Sequence, residues 1–183
     1  MNPIMTRLAL DHHRLARLLD LFDHLLDRFH EGDEPDYELM AEMLEYMASY
    51  QDTIHHPTED LIFRRALDKG VQRRDVFDVL RHQHDRLPQL NKRFRQSLEG
   101  IVHEAVLPRE EVEAQGRELV NTLREHMTIE DQEAFPIALA RLGEADWEAV
   151  EALAPSADDP LFGVPDPLRF RALFQRLALQ AGS

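Results

Sequence analysis

Apolar residues recur every three or four positions along most of the chain, the spacing that places them on one face of an α-helix. Four such runs, separated by glycine and proline, cover residues 6–29, 35–70, 75–100 and 108–142. In the second run the apolar spacing continues on both sides of Pro57. We therefore expect this proline to kink the helix and not to end it.

No stretch alternates between apolar and polar residues for long enough to predict a β-strand. Four helices with short connections predict an all-α fold, an up-down-up-down antiparallel four-helix bundle over residues 1–142. Four prolines then follow between Pro155 and Pro167. We expect residues 143–183 to be an irregular linker and a short C-terminal helix, which packs across the bundle or forms a subunit interface, as in a homodimer.

The amino-acid composition argues against several classes of function. The 35 acidic residues outnumber the 21 lysines and arginines, giving a formal net charge of -14. This excess argues against binding to nucleic acid or to an anionic membrane surface. The chain has no cysteine, which excludes disulfides, thiol catalysis and thiolate-bound zinc or iron–sulfur clusters. With no apolar run of about 18 residues and no signal peptide, we expect a cytoplasmic protein.

The 10 histidines follow a pattern. His55 and His126 each begin a His-x-x-x-Glu-Asp motif, and these two histidines are 71 residues apart. His12 and His84 are 72 residues apart, and each precedes one motif by 43 or 42 residues. The chain therefore consists of two similar helical hairpins, each with one histidine on its first helix and a His-x-x-x-Glu pair on its second.

Packed together, the two hairpins would direct four imidazoles and two carboxylates into one core. The six residues are His12, His55, Glu59, His84, His126 and Glu130. Such groups are costly to bury without a counter-charge, whereas two metal ions would satisfy all of them. Nitrogen and oxygen ligands without thiolate suit iron best, with manganese or zinc as alternatives.

With these motifs the chain resembles hemerythrin-like proteins, which carry an HHE cation-binding domain. The matching stretches are Asp11-His12-His13-Arg14-Leu15, His55-His56-Pro57-Thr58-Glu59-Asp60, His84-Asp85-Arg86-Leu87 and His126-Met127-Thr128-Ile129-Glu130-Asp131. The resemblance implies a four-helix bundle with an oxo- or hydroxo-bridged di-iron centre. It also implies that the centre binds dioxygen or reacts with peroxide or nitric oxide. Carried over by position, the ligands are the six residues above, with Glu59 and Glu130 bridging.

The sequence departs from the oxygen-carrying hemerythrins on the third helix. Those proteins have a second histidine four residues from the first, but here Leu80 and Pro88 flank His84 at that spacing. A carrier-type centre with five histidines is therefore not supported, and more open metal ions favour redox reactivity or sensing. Glu133 is the second departure, because the first hairpin has Ile62 there. It is either a further ligand, a proton donor or an acid that reaches solvent.

Several neighbouring residues leave alternatives open. His13 and His56 are each adjacent to a candidate ligand and are alternatives to it if the helix is rotated by one residue. Tyr46 and Tyr50 either pack in the core with hydrogen-bonded hydroxyls, or they control electron transfer or hydrogen-bond to a bound oxygen species. Four further histidines have no companion at ligand spacing or face away from the core: His24, His30, His82 and His103.

Two function classes remain open from the sequence. In the first, the di-iron centre binds a small oxidant and signals to a partner in redox sensing or stress response. In the second, the same centre turns over its ligand, as in an oxidoreductase of peroxidase type or an iron-handling stress protein. The sequence does not decide whether the protein is an enzyme.

Overall fold

The structure, a computed structural model, describes residues 2–181, and this part of the chain is helical without a β-strand. Its α-helices are α1 (Pro3–His30), α2 (Tyr37–Tyr46), α3 (His56–Asp68), α4 (Arg74–Val102), α5 (Arg109–Ile129), α6 (Phe135–Arg141), α7 (Glu144–Leu153) and α8 (Arg171–Ala181). Two π-helical segments, Met47–His55 and Glu130–Ala134, join α2 to α3 and α5 to α6. No helix within residues 2–181 has the combination of length and apolar character that crossing a membrane requires. The all-helical prediction is confirmed.

Local signals in the sequence set the ends of the first helix. The Asn2 side chain accepts hydrogen bonds from the backbone N–H groups of Ile4 and Met5, and Pro3 occupies the first turn, where no N–H is needed. After the helix, Gly32 has a φ of 98°, a left-handed conformation that glycine adopts without strain. The chain can therefore turn sharply toward α2.

The long helices bury their apolar faces against one another, with α5 packed on both α1 and α4. Gly116 lies where these helices meet. A Cβ atom there would be 2.7 Å from Leu26 and 2.9 Å from Phe94, so the absence of a side chain allows the close approach.

Two apolar clusters lie one above the other along the bundle. On α1, Leu8 belongs to one cluster and Leu15 to the other; on α4, Leu80 and Leu87 are divided in the same way. His12 and His84 lie between these pairs in sequence. The histidines therefore form a polar layer that is closed above and below by packed side chains.

Both π-helical segments lie at the His-x-x-x-Glu motifs, and each is followed by a proline in the first turn of the next helix. Proline has no N–H to continue an α-helical hydrogen-bond ladder, and π-helical turns often mark functional sites. At Pro57 and Pro136 the chain thus remains helical through altered hydrogen bonding. The expectation that the second and fourth runs continue through these motifs agrees with the structure.

The region after Gly143 differs from the expected irregular linker. Residues 144–153 form α7, which packs on α3. Lys69, the residue after α3, places its Nζ atom 3.2 Å from Oδ2 of Asp146. Asp146 also accepts a hydrogen bond from the Gly143 N–H and caps the helix. The prolines that suggested a linker begin only after this helix ends.

The C-terminal helix α8 packs on α2. Phe170, Leu173 and Leu161 are buried in the same apolar cluster as α1 and α2. Glu42 on α2 accepts hydrogen bonds from the backbone N–H groups of Ala172 and Leu173, at 3.2 and 2.7 Å. The extension is thus held by apolar burial and by a carboxylate at the start of α8.

Candidate metal centre

The six candidate ligands converge in the polar layer between the two apolar clusters. Each side chain is buried, and the carboxylates of Glu59 and Glu130 have no exposed surface. His12 comes from α1, His84 from α4 and His126 from α5. The remaining histidine, His55, ends the first π-helical segment.

Glu59 contacts histidines from three elements. Its Oε1 atom is 2.9 Å from Nε2 of His55 and 3.3 Å from Nε2 of His12. Its Oε2 atom is 3.3 Å from Nε2 of His84. One carboxylate therefore faces imidazoles of both hairpins, as a bridging ligand must.

Glu130 occupies the corresponding place on the opposite side. Its Oε1 atom is 3.0 Å from Nε2 of His126 and 3.6 Å from Nε2 of His84. Its Oε2 atom is 3.2 Å from Nε2 of His12. The two glutamates thus lie among the same set of imidazole nitrogens, all of them Nε2 atoms.

The other ring nitrogen of each histidine is held by a partner outside the cluster. The Nδ1 contacts are His12 with Asp131 at 2.9 Å, His55 with Asp11 at 3.0 Å, His84 with Asp60 at 2.9 Å and His126 with Gln83 at 2.9 Å. An imidazole that donates its Nδ1–H to such a partner keeps its Nε2 lone pair available to a cation. All four rings are oriented in this way.

The inner atoms are poorly satisfied by the protein itself. Within residues 2–181 no hydrogen bond of acceptable geometry reaches either oxygen of Glu59, either oxygen of Glu130 or Nε2 of His12. The Nε2 atoms of His84 and His126 lie only 3.0 Å apart, directed at a common point. Buried polar groups are rarely left without partners, and a bound cation would satisfy all of these atoms. The residues present therefore fit a metal centre.

The comparisons agree with this geometry. A family model described as the hemerythrin HHE cation binding domain matches residues 4–138, well over half of the chain. The chain belongs to the hemerythrin HHE cation-binding domain family. A search of curated proteins and a search of solved structures gave no significant match. The resemblance drawn from the four histidine-bearing stretches is thereby confirmed.

Protons can take the place of a cation in this hemerythrin domain. Burial opposes the charged form of His12, but contacts with Asp131, Glu130 and Glu59 outweigh burial and raise its pKa to about 12. Burial also opposes the charged form of His55, and Glu59 with Asp11 raises its pKa to about 9. The two glutamates thus require positive charge nearby, whether it comes from protons or from a metal.

The pKa values of the two glutamates are shifted in the opposite direction from those of His12 and His55. Burial raises the pKa of Glu59, but His55, His12 and His84 outweigh it and hold the pKa well below its usual value. The pKa of Glu130 is also lowered, against the effects of burial and of Glu59. Both side chains are therefore anionic.

His56 belongs to the cluster in a way that the sequence did not predict. It is buried, its ring stacks on that of His84 at 4.4 Å, and its ring centre lies 5.3 Å from that of His126. Burial and the neighbouring His84 lower its pKa well below the usual value, so the ring is neutral. His56, Glu59, His84 and His126 each offer a ligand atom within 4.8 Å of the others.

A second group of possible ligand atoms consists of His12, His55 and Glu59. Glu59 is common to both groups, whereas Glu130 belongs to neither at that distance limit. His55 and His56 therefore face different parts of the cluster, and neither replaces the other. A π-helix has more residues per turn than an α-helix, so adjacent residues point in more similar directions.

The other candidates lie outside the cluster. Glu133 is 3.1 Å from Arg73 and partly exposed, which agrees with an acid that reaches solvent. His13 is exposed. The hydroxyl of Tyr46 donates to Asp159 at 3.0 Å and that of Tyr50 to Asp11 at 3.3 Å. The four histidines without companions, His24, His30, His82 and His103, are all exposed.

Proposed function

We propose that the buried cluster binds two metal ions that share its carboxylates. The ligands are His12, His55, Glu59, His84, His126 and Glu130. The observation that carries this proposal is the set of buried carboxylate oxygens that lack hydrogen bonds although imidazole nitrogens surround them. For the scaffold we propose the up-down-up-down four-helix bundle, with each motif-bearing pair of helices acting as one continuous arm.

The first metal position is defined by His12, His55 and Glu59, and the second by His84, His126 and Glu59. Glu59 bridges the two positions because its two oxygens face histidines of different hairpins. Glu130 is assigned as the second bridge, since its oxygens lie near His126 and His12. Two bridging carboxylates hold a pair of cations close together.

We assign His56 to the second position as a fifth imidazole. Its neutral ring lies against His84 and His126. One nitrogen of His56 lies within 4.8 Å of possible ligand atoms of His84 and His126. The sequence lacks the second histidine of the carrier proteins on α4, and His56 supplies a nitrogen on the facing helix instead. The second position would then be less open than the sequence alone suggested.

Iron is the metal we propose, because the site offers nitrogen and oxygen donors without thiolate. A pair of iron ions would supply reversible electron transfer and coordination sites for dioxygen, peroxide or nitric oxide. The chain's own residues hold the imidazoles in one tautomer and exclude water with the two apolar clusters. The protein would then bind or react with a small oxidant in redox sensing or stress response.

A groove supports access for such a ligand. It has a volume of about 570 Å³, runs between α1 and α5, and is lined by Ala9, Ala16, Met127 and Asp131 as well as by His12. Two of the lining residues are alanines, which occupy little space beside His12. His12 is the one candidate ligand that lines this groove, so we propose that a molecule of two or three atoms enters the cluster beside it.

The same groove favours a second candidate, an oxidoreductase of peroxidase type or an iron-handling stress protein. Asp131 is half exposed and holds Nδ1 of His12, so it connects the buried ring with solvent. A turnover reaction needs such a path for protons as well as for its substrate. Peroxide consumption by the iron-loaded protein, compared with free iron, separates the enzyme from the sensor.

Elemental analysis of protein produced with ample iron tests the metal proposal, together with absorption spectra in air and after anaerobic reduction. We expect about two iron ions per chain and charge-transfer absorption that disappears on reduction. Glu59→Gln and Glu130→Gln keep the size of the side chain but remove the charge. Each variant should lose most of the iron.

Glu133→Gln is the matched control. It removes a carboxylate close to Glu130 in sequence but outside the cluster, and it should retain iron as the unchanged protein does. Full iron retention in both Glu59→Gln and Glu130→Gln would refute the bridging assignment. Zinc or no metal in the unchanged protein would refute the proposed redox function.

A further inference from the structure

The two halves of the centre repeat each other closely in their outer contacts. The ring of His12 is held by Asp131 of the second motif, and the ring of His84 is held by Asp60 of the first, both at 2.9 Å. Each aspartate directly follows the glutamate of its motif. In these contacts the two metal positions are equivalent.

The repeat is broken at the other histidine of each half. His55 is held by Asp11, which precedes His12 in sequence, and His126 is held by Gln83, which precedes His84. The contact lengths agree, at 3.0 and 2.9 Å. The partners differ in charge, because one is a carboxylate and the other a neutral amide.

The surroundings strengthen this difference. Asp11 is buried, with 1% of its surface exposed, so its charge is little screened by water. Arg14 lies 4.0 Å from Oδ1 of Asp11, farther than Nδ1 of His55, which lies 3.0 Å from Oδ2. Gln83 is partly exposed and carries no charge. Among the partners of the four Nδ1 atoms of His12, His55, His84 and His126, Asp11 is therefore the one buried carboxylate.

A carboxylate that accepts the Nδ1–H of an imidazole makes the ring a stronger donor to a metal ion, and a neutral amide does so less. Changes in such outer partners typically alter metal affinity 10–100-fold. His56 gives the second position one more neutral nitrogen, and Asp52 lies 3.3 Å from its Nδ1 atom, so the asymmetry concerns the pair of His55 with Asp11 against the pair of His126 with Gln83. The two positions should thus differ in their affinity for a cation, because the carboxylate of Asp11 acts through His55 whereas the amide of Gln83 acts through His126.

We propose that the two metal positions are inequivalent, with Asp11 strengthening the first position through His55 and Gln83 leaving the second position weaker through His126. Asp11 and Gln83 are positioning residues, since each acts through a histidine. The inference rests on the proposed function, because it requires that both positions bind a cation. It predicts that the cation held by His84 and His126 is released first.

Ferrous iron, loaded anaerobically into the full chain, is the probe, and a colorimetric chelator is titrated against it. We expect the unchanged protein to release its iron in two steps. Asp11→Asn should move the tighter step toward weaker binding by roughly 10–100-fold, without moving the weaker step. Gln83→Glu should move the weaker step toward tighter binding by a similar factor, which damage to the fold cannot produce.

Tyr50→Phe is the control for Asp11, because it removes the hydroxyl from the carboxylate but leaves the contact with His55 in place. It should leave both release steps unchanged, and circular dichroism of each variant checks that the helices are retained. The inference is overturned if neither substitution moves a step or if both substitutions move the same one. Absence of bound iron in the unchanged protein would instead refute the proposed function.

Discussion

Two regions of this molecule bury carboxylates, and they differ in whether the protein provides hydrogen-bond donors to the carboxylate oxygens. Where the C-terminal extension docks, Asp159 accepts hydrogen bonds from the Tyr46 hydroxyl and from the backbone N–H groups of Leu161 and Phe162. In the polar layer, Glu59 and Glu130 are buried even more completely, yet their oxygens lack such bonds among residues 2–181. Burial of an acid is therefore weak evidence for a metal, whereas burial without hydrogen bonds is strong evidence.

Of the changes considered, removal of metal from the polar layer should lower the stability of the fold most. A ligand that binds only the folded state stabilises it by about 3 kcal/mol when present at a hundredfold excess over its Kd. We expect chelation to lower the melting temperature clearly, as measured by thermal unfolding with and without a chelator. An unchanged melting temperature in protein that has demonstrably lost its iron would show that the polar layer is stable without a cation.

Asp159→Asn should have the next largest effect, and of a different kind. It weakens a buried hydrogen-bond network at the extension, which typically costs about 1–3 kcal/mol. Iron content should remain unchanged, because Asp159 lies outside both groups of ligand atoms. Thermal unfolding combined with elemental analysis checks both statements. Loss of iron in this variant would mean that the two regions are coupled.

The dependence of stability on pH should reverse sign between the metal-free and the loaded protein. In the metal-free form the pKa of His55 is raised from 6.5 to about 9, so its contribution is complete below pH 6.5 and is lost as the pH rises through 9. The raised pKa of His12 acts in the same direction. Such a group changes the free energy of unfolding by at most about 1.4 kcal/mol per pH unit.

With metal bound, rising pH should instead favour binding, because imidazoles must be deprotonated to act as ligands. The lowered pKa of His56 reduces stability only as the pH falls below 6.5, which lies outside this window. Denaturant unfolding of both forms between pH 6.5 and 9 checks the two slopes. Parallel slopes would contradict competition between protons and metal.

Glu42→Gln should have the smallest effect. The glutamine can still accept one hydrogen bond from the start of α8 but loses the charge that favours a helix N-terminus, which amounts to about 1 kcal/mol or less. Proteolysis of the C-terminal segment should become faster, whereas iron content should not change. A loss as large as that of Asp159→Asn would indicate that Glu42 is the main attachment of the extension.

The fold and the inner residues were accessible from sequence because both follow from periodic spacing. The positions of apolar residues predicted the long helices, and the repeat of 71 and 72 residues predicted that His12, His55, His84 and His126 would meet. These features depend on helix geometry alone. Their role as ligands stays a prediction until metal is measured.

The features that sequence did not predict depend on contacts between helices or on local departures from α-helical geometry. His56 was placed as an alternative to His55 because an α-helix turns adjacent residues to different faces, but both lie in or beside a π-helical turn here. The pairing of Asp11 with His55 and of Gln83 with His126 requires the relative height of two helices, which spacing along one helix does not give. Helix α7 was hidden by the prolines that follow it.

The π-helical segments have a consequence for how this architecture can change over time. A π-helical turn holds one residue more than an α-helical turn, and each segment contains a candidate ligand. Deletion of a single residue between Met47 and His55 would restore α-helical phase and rotate His55 and Glu59 together relative to α2, away from the imidazoles of the other helices, even though no candidate ligand had been altered. Insertions and deletions in Met47–His55 and Glu130–Ala134 should therefore disturb the cluster as strongly as substitution of a candidate ligand, whereas changes in the length of the connection between α4 and α5 should not, because that connection lies outside the cluster.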